Sequence, residues 1–369
     1  MIRVATFNVE NLFCRPLAMD LDDWSEGQPA IDAAAQLNSL FNQPIYSDAD
    51  KKTMLALLEQ WGLLSSRPNN RFLEFRKIRG DLFRLPSDEP PEIVANGRAS
   101  WVGWVELKEA PVNDEAIKNT ARVISEVNAD IICLVEVDSR IALQRFYDAF
   151  IVPLQTKSGQ KPYPYNMAID GNDQRGIDVA ILSRYPITSM RSHIDAEIDG
   201  KKVFSRDCPE YYVQLPSGEE LVLLPNHFAS KGSDVYGERR RVQSKAVAEI
   251  YEAVRETHEQ VIIAGDLNDH PAGESLDDLL KHPELVDVMA MPQYKQTDLP
   301  GTYKTGTAAQ KLDYLLLSPH LQKRVKAVEV FRKGSYAPQK WASFENINKD
   351  TRYRYQASDH QCVWADLDI

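Results

Sequence analysis

Residues 261–271 read VIIAGDLNDHP. An apolar run passes without a break into Gly-Asp-Leu-Asn-Asp. A buried strand needs one turn residue at its end, yet this one offers Asp266, Asn268 and Asp269, three side chains able to hold water, metal or phosphate. The pattern recurs along the chain. IRVATFNV (2–9) runs into Glu10 and Asn11, and DIICLVEV (130–137) carries Glu136 near its end. ELVLLPNHF (220–228) ends in Asn226 and His227, and KLDYLLLS (311–318) embeds Asp313 among apolar residues. Ser358, Asp359 and His360 immediately precede QCVWADLDI (361–369). Burying so many polar groups separately is costly, because each one loses water without a guaranteed partner. The economical fold gathers them around one polar site.

Most of these strands are apolar at nearly every position, as strands covered on both faces are. Two sheets packed face to face with helices outside satisfy that demand. Residues 115–128 place Ile117, Ala121, Ile124 and Val127 on one helical face, with Asn113 or Asp114 as the cap. Residues 238–256 form a second amphipathic helix with a basic start. IDVAIL (177–182), YYVQL (211–215) and ELVLLP (220–225) read as strands, the last two joined by a hairpin turn at SGE (217–219). Residues 15–112 interrupt the series after the first strand. They contain helical material at Thr53–Trp61, a Pro-rich joint at 85–92 and a strand-like WVGWVELK at 101–108. They read as an insertion folded onto a single domain spanning 1–369, with a second insertion at 330–356. Trp24, Trp61, Trp101 and Trp104 pack this insertion, the alternative being that they stack bases.

The net charge of −11 argues against passive nucleic-acid binding through a basic surface. It does not exclude a nuclease with a local basic groove. The loop SKGSDVYGERRR (230–241), with Arg239, Arg240 and Arg241, is a candidate for such a rim, although charge runs at helix starts are usually just solvated. Four widely spaced cysteines (Cys14, Cys133, Cys208, Cys362) with no CxxC pair predict reduced thiols. No apolar run is long enough to span a membrane, and the N-terminus reads as a strand rather than a secretory signal. The expectation is a cytoplasmic protein, or one whose leader was removed before this numbering begins.

Eight stretches, TFNVEN, LVEV, RGIDVAILSRYPI, FSRD, NHFASK, GDLND, KLDYLLLSP and SDH, stand in an order that resembles the endonuclease/exonuclease/phosphatase superfamily. The resemblance covers 2–13 and about 115–366 and leaves 15–112 mostly unmatched. It implies an α+β fold of deoxyribonuclease I type, a four-layer α/β/β/α sandwich of two mostly antiparallel sheets. It also implies a metal-dependent phosphoric ester hydrolase using Mg²⁺ or Mn²⁺ and no organic cofactor.

Carried over residue by residue, the resemblance makes Glu136 the principal metal ligand, with Asn8 beside it and Asp359 a weaker candidate. Hard cations prefer such oxygen donors. His360 and Asp313 resemble the family's histidine–aspartate pair, in which a buried carboxylate fixes the tautomer and stabilises the charged ring. Asp266 orients or activates the attacking water, Asn268 donates to a phosphate oxygen, and His227 lies close to the scissile phosphate. Arg206 and Asn226 are candidate phosphate ligands, Arg206 because a guanidinium fork suits phosphate. Asp178 departs from the family pattern and either binds Arg175 or faces the site. The implied activity is phosphodiester hydrolysis by in-line water attack, most readily on nucleic acid. The alternatives are a phosphoesterase for a lipid headgroup, inositol phosphate or small nucleotide, and a non-catalytic binding protein on the same fold.

Overall fold

Alternation within wholly apolar strands decides the architecture. In Ile131–Val137, Ile131 and Cys133 face one way, while Ile132 and Leu134 face the other, and all four are buried. A strand covered on both sides must lie inside a stack of layers. The computed structural model describes residues 1–12, 16–19, 24–65, 70–86, 88–108, 114–173, 176–295 and 297–369, the side chains of 11, 12, 19 and 24 excepted. The chain divides into two units, Met1–Phe13 with Asn113–Ile369, and Cys14–Val112.

In the first unit the elements that position the site run in order. They are β1 (Ile2–Leu12), α1 (Asp114–Val127), β2 (Ile131–Val137), β3 (Tyr165–Ile169), β4 (Asp178–Ser183) and β5 (Ile187–Arg191). Next come β6 (Glu210–Gln214), β7 (Glu220–His227), α2 (Glu238–Arg255), β8 (Val261–Asp266) and β9 (Val286–Asp287). The series closes with β10 (Asp313–Leu317), β11 (Val325–Phe331) and β12 (Cys362–Leu367). One sheet has the order β11-β12-β1-β2-β4-β3, the other β9-β10-β8-β7-β6-β5. Only β1–β2 and β7–β8 pair in parallel; every other neighbour in these sheets is antiparallel.

The inner faces meet in one core, with Val4, Ile131, Cys133, Ile181 and Val363 against Tyr211, Leu223, Ile262, Ala264 and Leu315. Outside the first sheet, Phe7, Ile132, Leu134 and Ala180 pack against Ile117, Ala121 and Ile124 of α1. Outside the second, Leu224, Val261 and Ile263 pack against Val247 and Tyr251 of α2. The result is the α/β/β/α sandwich that the sequence implied, built as face-to-face sheets. The SGE hairpin joins β6 and β7, with Gly218 supplying the left-handed turn residue at φ 89°. Asp114 opens α1, while Asn113 and Arg175 lie outside the described residues. Cys133, Cys208 and Cys362 are buried free thiols; Cys14 lies outside the described residues. Of residues 330–356, the first two finish β11, and the remainder are turns, bends and irregular chain with one short 3-10 helix at Arg352–Arg354.

The second unit has its own core. A helix at Trp24–Phe41 and another at Asp48–Gln60, capped by a Ser47–Asp50 box, pack with a strand pair Leu73–Arg79 and Val102–Leu107. The helix at Thr53–Trp61 therefore starts five residues earlier than its apolar pattern suggests, because Ser47 caps it. Trp101 is fully buried between Phe41 and Phe75, its indole N–H donating to the Tyr46 hydroxyl at 2.8 Å. Trp104 stays more than one-third exposed, and the side chain of Trp24 lies outside the described residues.

Candidate active site

Strand direction brings the polar groups together. β1, β2, β7 and β8 all end at one edge of the sandwich, carrying Asn8, Glu136, His227 and Asp266 at or near their C-termini. β10 runs antiparallel to β8, with Asp313 opposite Asp266. β12 runs antiparallel to β1, so the residues just before it, Asp359 and His360, arrive at the same edge.

Local backbone departures then aim the side chains. Pairing slips around Glu136, against both β1 and β4, and this residue has a φ of 67°. A bulge of this kind turns a side chain out of the strand's alternation. Glu10 and Asn268 also adopt left-handed φ values, 52° and 54°. Three non-glycine residues in that region around one cluster is the distribution of strain found at functional sites.

The cluster is continuous. Asn8 Nδ2 donates to Glu136 Oε1 at 3.2 Å and to Asp266 Oδ2 at 3.1 Å. His227 Nε2 lies 3.7 Å from Glu136 Oε1 and 3.9 Å from Asp266 Oδ2. His360 Nε2 lies 3.7 Å from Asp266 Oδ2 and 4.0 Å from Asp359 Oδ1, while its Nδ1 is 2.9 Å from Asp313 Oδ2. The Asn268 amide N–H donates to Asp266 Oδ1 at 2.9 Å, and its Nδ2 to the Phe228 carbonyl at 3.0 Å, with one amide hydrogen to spare. Eight of the ten predicted site residues thus share one network.

Asn226 and Arg206 stand apart in their contacts. Asn226 neighbours His227 on β7 and so faces the opposite side of the sheet, where Nδ2 donates to the Leu224 carbonyl at 3.0 Å. Arg206 is buried with Nε 3.0 Å from Asp173 Oδ2. Asp178 sits nearby and accepts the Gly171 amide at 2.7 Å, which tethers the loop before β4. Burial pushes the Asp178 carboxyl up to about 7, against the Gly171 amide and with help from Asp170 and Asp173. Asp269 is held by Ser275, the His270 amide and Lys231.

Two further residues support the histidine, and neither carries a sequence signal of its own. Thr302 Oγ1 donates to Asp313 Oδ2 at 2.6 Å and receives the Asp313 amide at 3.0 Å. The ring of Tyr303 lies 4.7 Å from that of His360, and its hydroxyl is hydrogen-bonded to Asp359.

The electrostatics follow from burying acids together. Burial pushes Asp266 up to about 7; His360 opposes this, and Asp313 and Glu136 add to it. Burial alone would lower His360, but Asp313 and Asp266 outweigh it and hold the imidazole well above its ordinary value. The carboxylates Glu136, Asp266, Asp313 and Asp359 therefore exceed the positive charge that the protein supplies. This excess of oxygen donors fits a hard divalent cation. Asp266, Asp313 and His360 also offer one ligand atom each within 4.8 Å of one another. Nδ1 of that histidine is spent on Asp313, and the side-chain oxygen of Asn8 accepts the Glu10 amide at 3.0 Å.

A double sandwich with acids, amides and two imidazoles gathered at one edge has the architecture of the deoxyribonuclease I-like fold. The endonuclease/exonuclease/phosphatase family model matches residues 109–360, and the chain belongs to that family. Its members are phosphoesterases and generally depend on divalent metal. A family protein from Bacteroides thetaiotaomicron is similar in structure, with a TM-score of 0.49 and 16% identity over 68% of this chain and 85% of that one. A mannosyl-6-phosphatase from the same organism gives 0.48 and 17% over 69% and 91%. The human nocturnin catalytic domain gives 0.47 and 15% over 69% and 87%. No curated protein sequence matches the chain. Among the described residues no helix is long and apolar enough to cross a membrane.

Proposed function

We propose that the chain is a metal-dependent phosphodiesterase that cleaves nucleic acid by in-line attack of water. The observation that carries the hydrolytic part of this reading is the shared edge: Asn8, Glu136, His227, Asp266, Asn268, Asp313 and His360 come from six strands or strand ends and form one hydrogen-bonded and charge-paired cluster.

Glu136, Asn8 and Asp359 would hold Mg²⁺ or Mn²⁺, which would supply Lewis-acid stabilisation of the phosphoryl oxygens. Asp266 orients the attacking water through the carboxylate oxygen that faces Asn8, His227 and His360. Its raised pKa suits proton acceptance near neutral pH. The new P–O bond forms as the bond to the leaving alkoxide breaks, and the water's proton passes to the site. His360, kept protonated by Asp313 and Asp266, presents positive charge where negative charge accumulates. Asn268 donates its remaining amide hydrogen to a non-bridging oxygen, and His227 faces the scissile phosphate. Arg206, buried and tied to Asp173, steadies the loop before β4, and Asn226 backs the strand that carries His227.

The test is nicking of supercoiled plasmid with Mg²⁺ or Mn²⁺, beside a chelator and the Asp266→Asn variant. Cleavage lost in both controls is the expected result. Cleavage that survives in the variant refutes the assignment of Asp266. A folded wild type that leaves plasmid intact but hydrolyses small phosphoesters refutes the nuclease reading and keeps the phosphoesterase one.

A further inference from the structure

Beside the reaction centre lies a cavity of about 440 Å³ that the mechanism above does not use, lined by Lys231, Tyr236, Arg240, Arg241, Asp269 and Ser275 among others. Its walls come from the loops that leave β7 and β8, and from the first turn of α2. Those strands are parallel neighbours with His227 opposite Asp266, so both loops emerge where the reaction centre is. Asp269 follows Asp266 by three residues. At the maximum reach of about 3.5 Å per residue, the cavity wall begins within about 10 Å of the Asp266 backbone.

The charges in the cavity are arranged, not merely present. Asp269 is saturated: it accepts from Ser275 and the His270 amide, pairs with Lys231 at 2.9 Å and lies 3.7 Å from Arg240. Arg240 is buried and further fixed by the Ala229 carbonyl and by Asp234. The lining carries three cationic side chains, Lys231, Arg240 and Arg241, against Asp269 and Glu274, in a protein of net charge −11. Lys231 is paired with Asp269, and Arg241 lies 3.8 Å from the exposed Glu274, yet they keep 44% and 49% of their side-chain surface exposed and can still meet a ligand. The 18-residue α2 points its N-terminus here, and its cap residue, Gly237, offers no side-chain acceptor. A helix start of this kind favours anions. At the rim, Tyr236 is 83% and Val235 73% exposed. An aromatic ring in that position presents a stacking face to any base.

We propose that this cavity is a subsite for the strand flanking the scissile bond: Lys231 and Arg241 take the neighbouring phosphate of a single-stranded polynucleotide, and Tyr236 stacks an unpaired base. The inference rests on the phosphodiesterase reading and narrows its substrate class. A polynucleotide repeats its phosphates along the chain, which a reaction centre with a second anion site beside it can exploit. A small phosphomonoester has nothing to place there.

The experiment uses the full chain and its Arg241→Ala, Arg241→Lys and Tyr236→Ala variants, all at exposed positions. Kinetics with a fluorescein-labelled oligothymidylate are compared with those on bis(p-nitrophenyl) phosphate, which fills the reaction centre alone. Binding of the same oligonucleotide, of its uridylate counterpart and of a duplex is followed by anisotropy as salt is raised. In each alanine variant the ratio of oligonucleotide to small-substrate kcat/KM falls about tenfold, mainly through KM. Arg241→Ala reduces the slope of log K against log salt by about 0.7, the value for one lost single-strand phosphate contact. Arg241→Lys restores most of that slope. A ratio and slope equal to wild type in both alanine variants overturn the subsite, as does binding of duplex only. A wild type that turns over the small ester but does not bind the oligonucleotide overturns the subsite and spares the phosphoesterase reading. If the wild type hydrolyses nothing, the phosphodiesterase reading fails, and the anisotropy series alone decides whether the cavity takes a strand.

Discussion

His360 Nδ1 stands 2.9 Å from Asp313 Oδ2, and both side chains are buried. The second oxygen of Asp313, Oδ1, has no hydrogen-bond partner among the described residues, so this carboxylate is committed to His360 and Thr302. The pair fixes which imidazole nitrogen faces Asp266 and keeps the ring charged.

The raised pKa of His360 has a definite sign. The protonated ring contributes stability that is fully present below the unfolded value of about 6.5 and is lost as pH rises through the folded value. A histidine NMR titration of metal-free protein should therefore show one imidazole that stays protonated well past pH 6.5. In Asp313→Asn that resonance titrates at lower pH, and turnover falls by about 10²-fold or more. An unchanged titration in the variant contradicts the role given to Asp313.

Glu136 repels the buried Asp266 carboxylate, with Asn8 donating to both. Glu136→Gln removes repulsion in the metal-free protein and so raises its Tm. The same change removes the Tm increase that Mn²⁺ gives the wild type, and turnover drops by roughly 10²-fold or more. Calorimetric denaturation with and without Mn²⁺ reads both effects. A variant that still gains stability from the metal would show that the cation is held elsewhere.

Asp178 supplies a test outside the reaction centre. Its folded pKa of about 7 exceeds the reference value of 3.8, so its protonated form stabilises the fold below 3.8, and that contribution disappears as pH rises to and through about 7. Asp178→Asn keeps an acceptor for the Gly171 amide without the charge. The variant should melt higher than wild type at pH 8, by roughly 1–2 kcal/mol once solvent screening is allowed for, and near wild type at pH 4. Equal gains at both pH values would sink this account.

Gly265 joins the fold to the chemistry. Its φ is 131°, and a Cβ there would lie 2.0 Å from the Asn226 carbonyl oxygen of the adjacent strand. Gly265→Ala must push β7 and β8 apart, at a cost of roughly 3 kcal/mol or more, and move His227 away from Asp266. Thermal denaturation checks the first effect; loss of turnover beyond the loss of folded protein checks the second.

The strand ends were readable because their chemistry contradicts their surroundings. Asp313 within KLDYLLL and Asp266 after VIIAG are acids where an isolated acid is unaffordable, and each turned out to have buried polar neighbours. The residues around them were less readable. Thr302 and Tyr303 are ordinary loop residues in sequence, and only the antiparallel arrival of β10 and β12 makes them supports for Asp313 and His360. Asn226 shows the converse. It is adjacent to His227 in sequence, but a strand sends consecutive side chains to opposite faces, and its contacts lie away from the cluster. The helix at Trp24–Phe41 escaped notice because it contains Pro29 and Gly27, residues that normally interrupt such a pattern.

The order in which the strands are made has a consequence of its own. β12, the last strand of the sandwich to leave the ribosome, must slot between β1, the first, and β11. His360 and Asp359 travel just ahead of it, and the Asp359 amide closes on the Glu10 carboxylate across 349 residues of chain. Until that final insertion, Asn8 and Glu136 have no histidine from the C-terminal end to work with. On the proposed mechanism, a chain truncated before Asp359 therefore carries Asn8, Glu136, His227, Asp266 and Asp313 yet is expected to be inert. The polar cluster is thus complete only once the last strand of the sandwich has paired with the first.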